Sequence, residues 1–159
     1  MLAEYRNATI AVNIIYKYKI PSMTTMSSAI NFGTAEMMKN ETPSMIIKSR
    51  QQIINTYHSR GFRIKHILGD QQFECIRKTM ELQGKDMKIN GRDEHVPVVE
   101  RYIRTVKERV RAIVNTLHFK ILPHHLIIKI VYDTVFWLNC FRHKHSIHPT
   151  LSPCTIVTG

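Results

Sequence analysis

The spacing of apolar residues changes along the chain, and this change constrains the fold more than any other feature of the sequence. Residues 9–20, TIAVNIIYKYKI, are rich in β-branched and aromatic side chains, and residues 21–38 continue with small alternating positions broken by Pro21 and Gly33. Such stretches and breaks are typical of short antiparallel strands. We therefore predict two or three strands before any helix begins.

The middle of the chain changes to a mixture of helix and strand patterns. Thr42 and Pro43 can start a helix, and isoleucines then recur at helical spacing until HSRG supplies basic residues and a glycine stop near Arg60. The segment FRIKHIL alternates apolar and basic residues, which predicts a strand that delivers Asp70 at its carboxyl end. A helix that ends near Gly84 should follow.

The last part of the chain contains one short strand pattern and then two helices. The segment DMKIN predicts the strand, a loop over residues 91–97 follows, and HVPVVERYIRTVKERVRAIVNTLHF and HHLIIKIVYDTVFWLNCF predict the helices. We expect Phe136 and Trp137 to belong to the core. This order predicts an α/β fold with a mixed central sheet of about five strands, covered by helices and containing one right-handed crossover.

The first of these two helices carries one acid at the start of a basic row. At 100° per residue, Glu100 shares a stripe with Arg104, Lys107 and Arg111, and the adjoining face is apolar. As a simple helix pair, Glu100 and Arg104 would contribute only about 0.3–0.5 kcal/mol. Asp70 could instead meet Glu100 across the sheet edge, and the two carboxylates would then form a hard oxygen site for Mg²⁺.

Charge and composition limit the classes of function. The 23 Lys and Arg residues exceed the 12 Asp and Glu residues and leave a net charge of +11, which favours a polyanionic partner such as nucleic acid. The longest apolar run, residues 126–141, contains charges and is shorter than the ~20 residues that span a bilayer. No Ser-His-acid set, phosphate loop or dinucleotide fingerprint is recognisable. We expect no membrane partner.

The cysteines and histidines point to an intracellular protein without a zinc finger. Three cysteines form neither an even set nor a close pair, which favours a reduced compartment. Cysteines and histidines crowd one late segment, but their spacing matches no standard finger, so we assign them no metal. The residues of that segment are Cys140, His143, His145, His148 and Cys154.

Four segments carry a resemblance to a known family. RGFRIKHILGDQQFE, HVPVVERYIRTVKERVRA, FWLNCF and LSPCTIVTG resemble the integrase core of copia-like retrotransposon polyproteins, within the retroviral integrase superfamily. The resemblance implies a ribonuclease-H-like fold, with residues 1–159 forming a single integrase-like catalytic core domain. It also implies a DNA partner, a homodimer, a nuclear location, and an Asp, Asp, Glu set that holds Mg²⁺ or Mn²⁺ for attack on DNA phosphodiesters.

The resemblance carries over to individual residues. Asp70 is similar to the second acid and Glu100 to the last, and these two are the candidate metal ligands. The first acidic position lines up with Asn13 in IAVNIIY. The candidate DNA contacts are Arg101, Arg104, Lys107, Arg109 and Arg111.

Asn13 is the main departure from the pattern. An amide oxygen is neutral where the family has a charged ligand, so metal affinity and activation of the nucleophile should both fall. The spacing from Asp70 to Glu100 is also shorter than in retroviral members. We therefore expect an integrase-type core with impaired strand transfer. The alternative is a non-enzymatic nucleic-acid-binding relic, in which the same basic helix holds nucleic acid or a partner and the acids form only intramolecular ion pairs.

Overall fold

The protein is built around a five-stranded mixed sheet with helices on both faces. The computed structural model describes residues 6–77, 86–89, 97–119, 121–144 and 147–159. Along the sheet the strands are ordered β3-β2-β1-β4-β5; the first three are antiparallel, and β1, β4 and β5 are parallel. The strands are β1 Asn7–Lys17, β2 Ile20–Ser27, β3 Gly33–Met37, β4 Arg63–Gly69 and β5 Asp86–Ile89. This confirms the predicted α/β class and the predicted number of strands.

Helices and one short 3-10 turn accompany the sheet in the described part of the chain. A 3-10 turn at Gln71–Phe73 follows β4, and residues 74–77 are helical. The helices are α1 Pro43–His58, α2 Pro97–Thr116, α3 His124–Cys140 and α4 Pro153–Thr158. Within the described residues, no helix combines the length and the apolar character that a membrane crossing requires.

The two faces of the sheet bury different helices. Ile10, Val12 and Ile14 alternate along β1 and pack with α1 and α4 in the largest apolar cluster, which includes Tyr57. The intervening residues Ala11 and Ile15 point to the other face, where they meet α2. Because successive side chains of a strand point to opposite faces, the apolar residues in the middle of β1 are buried on both sides of the sheet.

A polar contact fixes α3 against the edge strand β3. The side chain of Asn139 accepts a hydrogen bond from the Gly33 amide (2.8 Å) and donates one to the Gly33 carbonyl (2.7 Å), and all three groups are buried. Gly33 also leaves room for Tyr102 of α2, since a Cβ at this position would lie 2.1 Å from the tyrosine Oη. The sequence gives no sign of this contact, because Asn139 and Gly33 lie 106 positions apart.

The expected burial of two aromatic residues in α3 was wrong. The expected core residues Phe136 and Trp137 are 54% and 58% exposed. Helix α3 is apolar on most sides, and only the side with Ile127, Val131 and Val135 packs on the body of the protein.

The helix α4 was not predicted, although Ser152 caps it and a proline begins it. The predicted helix end near Gly84 and most of the predicted loop over residues 91–97 lie outside the described residues.

Candidate functional site

The sheet places Asn13 beside Asp70. Strands β1 and β4 are parallel, and their last registered pair is Val12 with Gly69. Asn13 and Asp70 come next on the two strands, and the backbone of Asp70 is still extended, with φ −81° and ψ 168°. The predicted strand therefore delivers Asp70 next to the middle of β1, at the carboxyl end of β4.

Both residues lie on the sheet face that α2 covers. Ala11 of β1, Leu68 of β4 and Val99 of α2 belong to one apolar cluster. Since side chains alternate along an extended strand, Asn13 and Asp70 follow Ala11 and Leu68 onto this same face. Glu100 comes directly after Val99, in the first turn of α2, and is exposed. The fold thus places Asn13 next to Asp70, and Glu100 follows a residue that packs on the same face of the sheet.

Hydrogen bonds engage the side chains of Asn13 and Asp70. Oδ1 of Asn13 accepts a hydrogen bond of 2.7 Å from Nε2 of Gln72. Oδ1 of Asp70 accepts one of 2.7 Å from the Gln71 amide and so caps the 3-10 turn. Sequence reasoning did not single out Gln72; its position three residues after the strand end is the only signal that could have pointed to it.

Among the residues that the structure describes, the acids of this region do not make up a set of metal ligands. Nowhere in the described parts of the chain do three His, Cys, Asp or Glu side chains come together in a group that could hold a metal ion. Asn13, Asp70 and Glu100 together offer two carboxylates and one amide oxygen, and the amide oxygen is already bonded to Gln72.

A basic stripe leads away from Glu100 along α2. Arg104 and Arg111 are exposed and Lys107 is half-buried, while Val106 and Val110 on the adjoining face are buried. This confirms the predicted division of the helix into a polar and an apolar side. Lys17, at the end of β1, extends the stripe: partial burial and then the charges of Arg111 and Lys107 lower the pKa of its ammonium group. Sequence reasoning missed Lys17, because its neighbours come from another element.

Arg101 and Arg109 occupy different surroundings from the stripe. Arg101 borders a cavity of about 420 Å³, together with Tyr102 and Arg142. Arg109 borders a second cavity of about 380 Å³, beside Trp137 of α3. The five predicted DNA contacts therefore divide into three residues on the Glu100 stripe and two that face cavities towards α3.

The late cysteine and histidine segment forms a structural contact. Desolvation raises the pKa of the Cys140 thiol, and the neighbouring thiol of Cys154, which is hydrogen-bonded to it, raises this pKa further. The contact joins the end of α3 to α4. The Nδ1 atom of His148 accepts backbone hydrogen bonds from Thr150 and Leu151 and so shapes the turn before α4.

Comparisons with known proteins agree with this arrangement at the level of fold. The sequence matches no protein-family model and no curated protein. The structure is similar to the catalytic core domain of BIV integrase, with a TM-score of 0.68 and 16% identity over 94% of this chain and 92% of that one. It is also similar to the catalytic core domain of HTLV-2 integrase in complex with magnesium, in a trimeric form. Here the TM-score is 0.67 and the identity 16%, over 94% of this chain and 95% of that one. The chain therefore has the ribonuclease-H-like fold of the retroviral integrase catalytic cores.

Proposed function

We propose that this chain is an integrase-type core that binds DNA along α2 and is impaired in metal-dependent strand transfer. The likeness in fold to two integrase cores supports the class of protein. The basic stripe and the net charge of +11 support a nucleic-acid partner. The same proposal includes what the sequence resemblance implies, namely a retrotransposon origin, a nuclear location and a homodimer. Sedimentation of the purified chain tests whether it dimerises.

One observation carries the claim of impairment. Asn13 occupies the β1 position beside Asp70, and its amide oxygen accepts a hydrogen bond from Gln72. Mg²⁺ prefers charged oxygen ligands in near-ideal octahedral geometry, and an engaged neutral amide is a poor substitute. The described residues at this position do not fit a site for two cations, so we derive no catalytic step through a metal.

The DNA surface rests on the geometry of α2. Arg104, Lys107 and Arg111 form a continuous row that begins at Glu100, and Lys17 adds a fourth positive charge from β1. A phosphate backbone laid along this row would relieve the repulsion among these cations, because each contact neutralises charge and releases counterions from the nucleic acid. Such contacts position a duplex without reading its sequence.

The decisive experiment restores the missing carboxylate. Strand transfer is measured with Mn²⁺ on a short labelled duplex for the wild-type chain, for Asn13→Asp, and for Asn13→Asp combined with Asp70→Asn. We expect product only from Asn13→Asp, because that variant alone has the full acidic set. A wild-type chain as active as Asn13→Asp would overturn the claim of impairment. A folded Asn13→Asp variant that neither reacts nor gains affinity for Mn²⁺ would show that Asn13 does not occupy the first acidic position.

A non-enzymatic nucleic-acid-binding module is the second candidate function. The hydrogen bond from Gln72 to Asn13 favours it, since this bond satisfies the amide without any cation. In that case the chain binds DNA equally well in EDTA and in Mn²⁺, and Asn13→Asp changes neither binding nor reactivity. The strand-transfer experiment therefore separates the two candidates.

A further inference from the structure

The hairpin tip, residues 16–19 between β1 and β2, combines aromatic and basic side chains. Tyr16 is 52% exposed, Tyr18 is 46% exposed, and Lys19 is also exposed. The Nζ atom of Lys17 lies 5.1 Å from the centre of the Tyr18 ring, which is within range of a cation–π interaction. The hydroxyl of Tyr16 donates to Glu41, which ties the base of the tip to the segment before α1.

The backbone of the hairpin tip is unusual for its residues. The two strands pair up to Lys17 with Ile20, so only Tyr18 and Lys19 form the loop. Both have positive φ, at 50° and 65°. Two-residue loops with positive φ at both positions favour Asn-Gly, because larger side chains are strained there. Strained residues of this kind cluster at functional sites, where the side chains matter more than the stability of the turn.

The hairpin tip adjoins the basic stripe of α2. Ile15, two residues before Lys17 on β1, packs against Ile103 of α2. The charges of Lys107 and Arg111 lower the pKa of Lys17, so the hairpin and the helix bring positive charges near one another. Exposed aromatic rings beside such charges are the features that bind unpaired bases, since every base has a face that can stack. A duplex bound along α2 would bring its frayed or single-stranded end to Tyr18.

We propose that the hairpin tip binds the unpaired bases at a junction between duplex and single-stranded DNA, with Tyr18 as the stacking platform. Lys17 and Lys19 contact the phosphates of the single strand. This inference rests on the proposed binding of duplex along α2 and adds a preference for the form of DNA. Phe136, an exposed aromatic residue of α3, serves as the control.

The test compares two labelled DNA molecules by fluorescence anisotropy with the full chain. One is a blunt duplex, and the other is the same duplex with a single-stranded extension of about five thymidines, a length within the footprint of one small binding site. We expect the wild-type chain to bind the extended duplex about tenfold more tightly, the size of effect that one stacked base produces. Tyr18→Phe should keep this gain, Tyr18→Leu should lose it, and Phe136→Leu should leave it unchanged.

A second variant separates function from turn stability. Tyr18→Asn combined with Lys19→Gly gives the loop its preferred residues, so the melting temperature should rise while the gain from the extension disappears. If the gain persists in this variant or in Tyr18→Leu, or if Phe136→Leu abolishes it equally, the hairpin tip has no such role. Salt-dependent binding of the blunt duplex without any gain from the extension would overturn this inference alone. A chain that binds neither DNA would overturn the proposed function as well.

Discussion

Nε2 of Gln72 donates a 2.7 Å hydrogen bond to Oδ1 of Asn13, and this bond joins the middle of β1 to the turn that follows β4. The two residues lie 59 positions apart in the sequence. The bond occupies the oxygen that would have to ligate a cation if Asn13 replaced a carboxylate. The hydrogen bond at this point of the fold therefore joins two neutral side chains.

Asn13→Asp should make the stability of the chain depend on Mg²⁺. Without metal, the new carboxylate lies beside Asp70 and lowers the melting temperature, because like charges repel. A site at tenfold excess of metal over its Kd adds about 1.4 kcal/mol, which raises the melting temperature of a domain of this size by about 3–6 °C. The wild-type chain should respond much less. Adding Asp70→Asn should remove the response, and equal responses of wild type and Asn13→Asp would contradict the assignment.

Lys107→Ala should weaken DNA binding and flatten its dependence on salt. Each phosphate contact contributes a slope of about −0.9 to the plot of log affinity against log salt, so the variant should lose about one unit. Lys129→Ala is the control, because Lys129 lies on α3 and forms a 2.6 Å ion pair with Asp133. Titrations over a range of salt concentrations measure both slopes. A similar loss in both variants would mean that only the net charge matters.

Tyr57→Phe and Tyr102→Phe should have different effects although both hydroxyls are buried. Tyr57 donates a 3.0 Å hydrogen bond to the Phe32 carbonyl, so its removal should cost about 1 kcal/mol in the free energy of unfolding. The Tyr102 hydroxyl has no hydrogen-bond partner among the described residues. Its removal should be neutral or stabilising, since an unpaired buried polar group is unfavourable. Denaturant unfolding of both variants measures the difference, and a greater loss in Tyr102→Phe would contradict the structure.

The same two tyrosines should make the chain sensitive to alkali. Burial raises the pKa of Tyr57 and of Tyr102 well above the ordinary value of 10.0. A group whose pKa is raised on folding contributes stability that is complete below its unfolded pKa and is lost as pH rises through the folded pKa. We therefore expect the melting temperature to fall above about pH 10. Chains with phenylalanine at both positions should show a smaller fall, and an equal fall would assign the effect to other groups.

Asn139→Leu should destabilise the chain more than its small change in volume suggests. The variant would leave the Gly33 amide and carbonyl buried without the partner that both now have. At about 1–3 kcal/mol for each buried group left unpaired, the loss should be at least 2 kcal/mol. Asn139→Asp keeps the acceptor for the Gly33 amide but loses the donor to the Gly33 carbonyl. The stability that it loses should therefore come mainly from the unpaired carbonyl. Thermal unfolding ranks the variants, and a Leu variant as stable as the wild type would show that the contact is dispensable.

Local patterns were sufficient to predict the elements that surround the site. The alternation in FRIKHIL predicted a strand that ends before Asp70, and the strand is Arg63–Gly69. Helical spacing predicted that Glu100, Arg104 and Lys107 share a stripe, and the apolar positions beside that stripe are buried. These predictions hold because strand and helix periodicities are properties of the backbone, so they can be read within one segment.

The sequence also determined the net positive charge and which side chains occupy the candidate site positions, including the neutral amide of Asn13. Only the tertiary structure decided that Gln72 bonds to Asn13, that Lys17 joins the basic stripe of α2, and that Trp137 faces outward. Each of these depends on which strands pair, in which register, and on which side of a helix meets the sheet. Such contacts join residues far apart in the chain, and local periodicity carries no information about them.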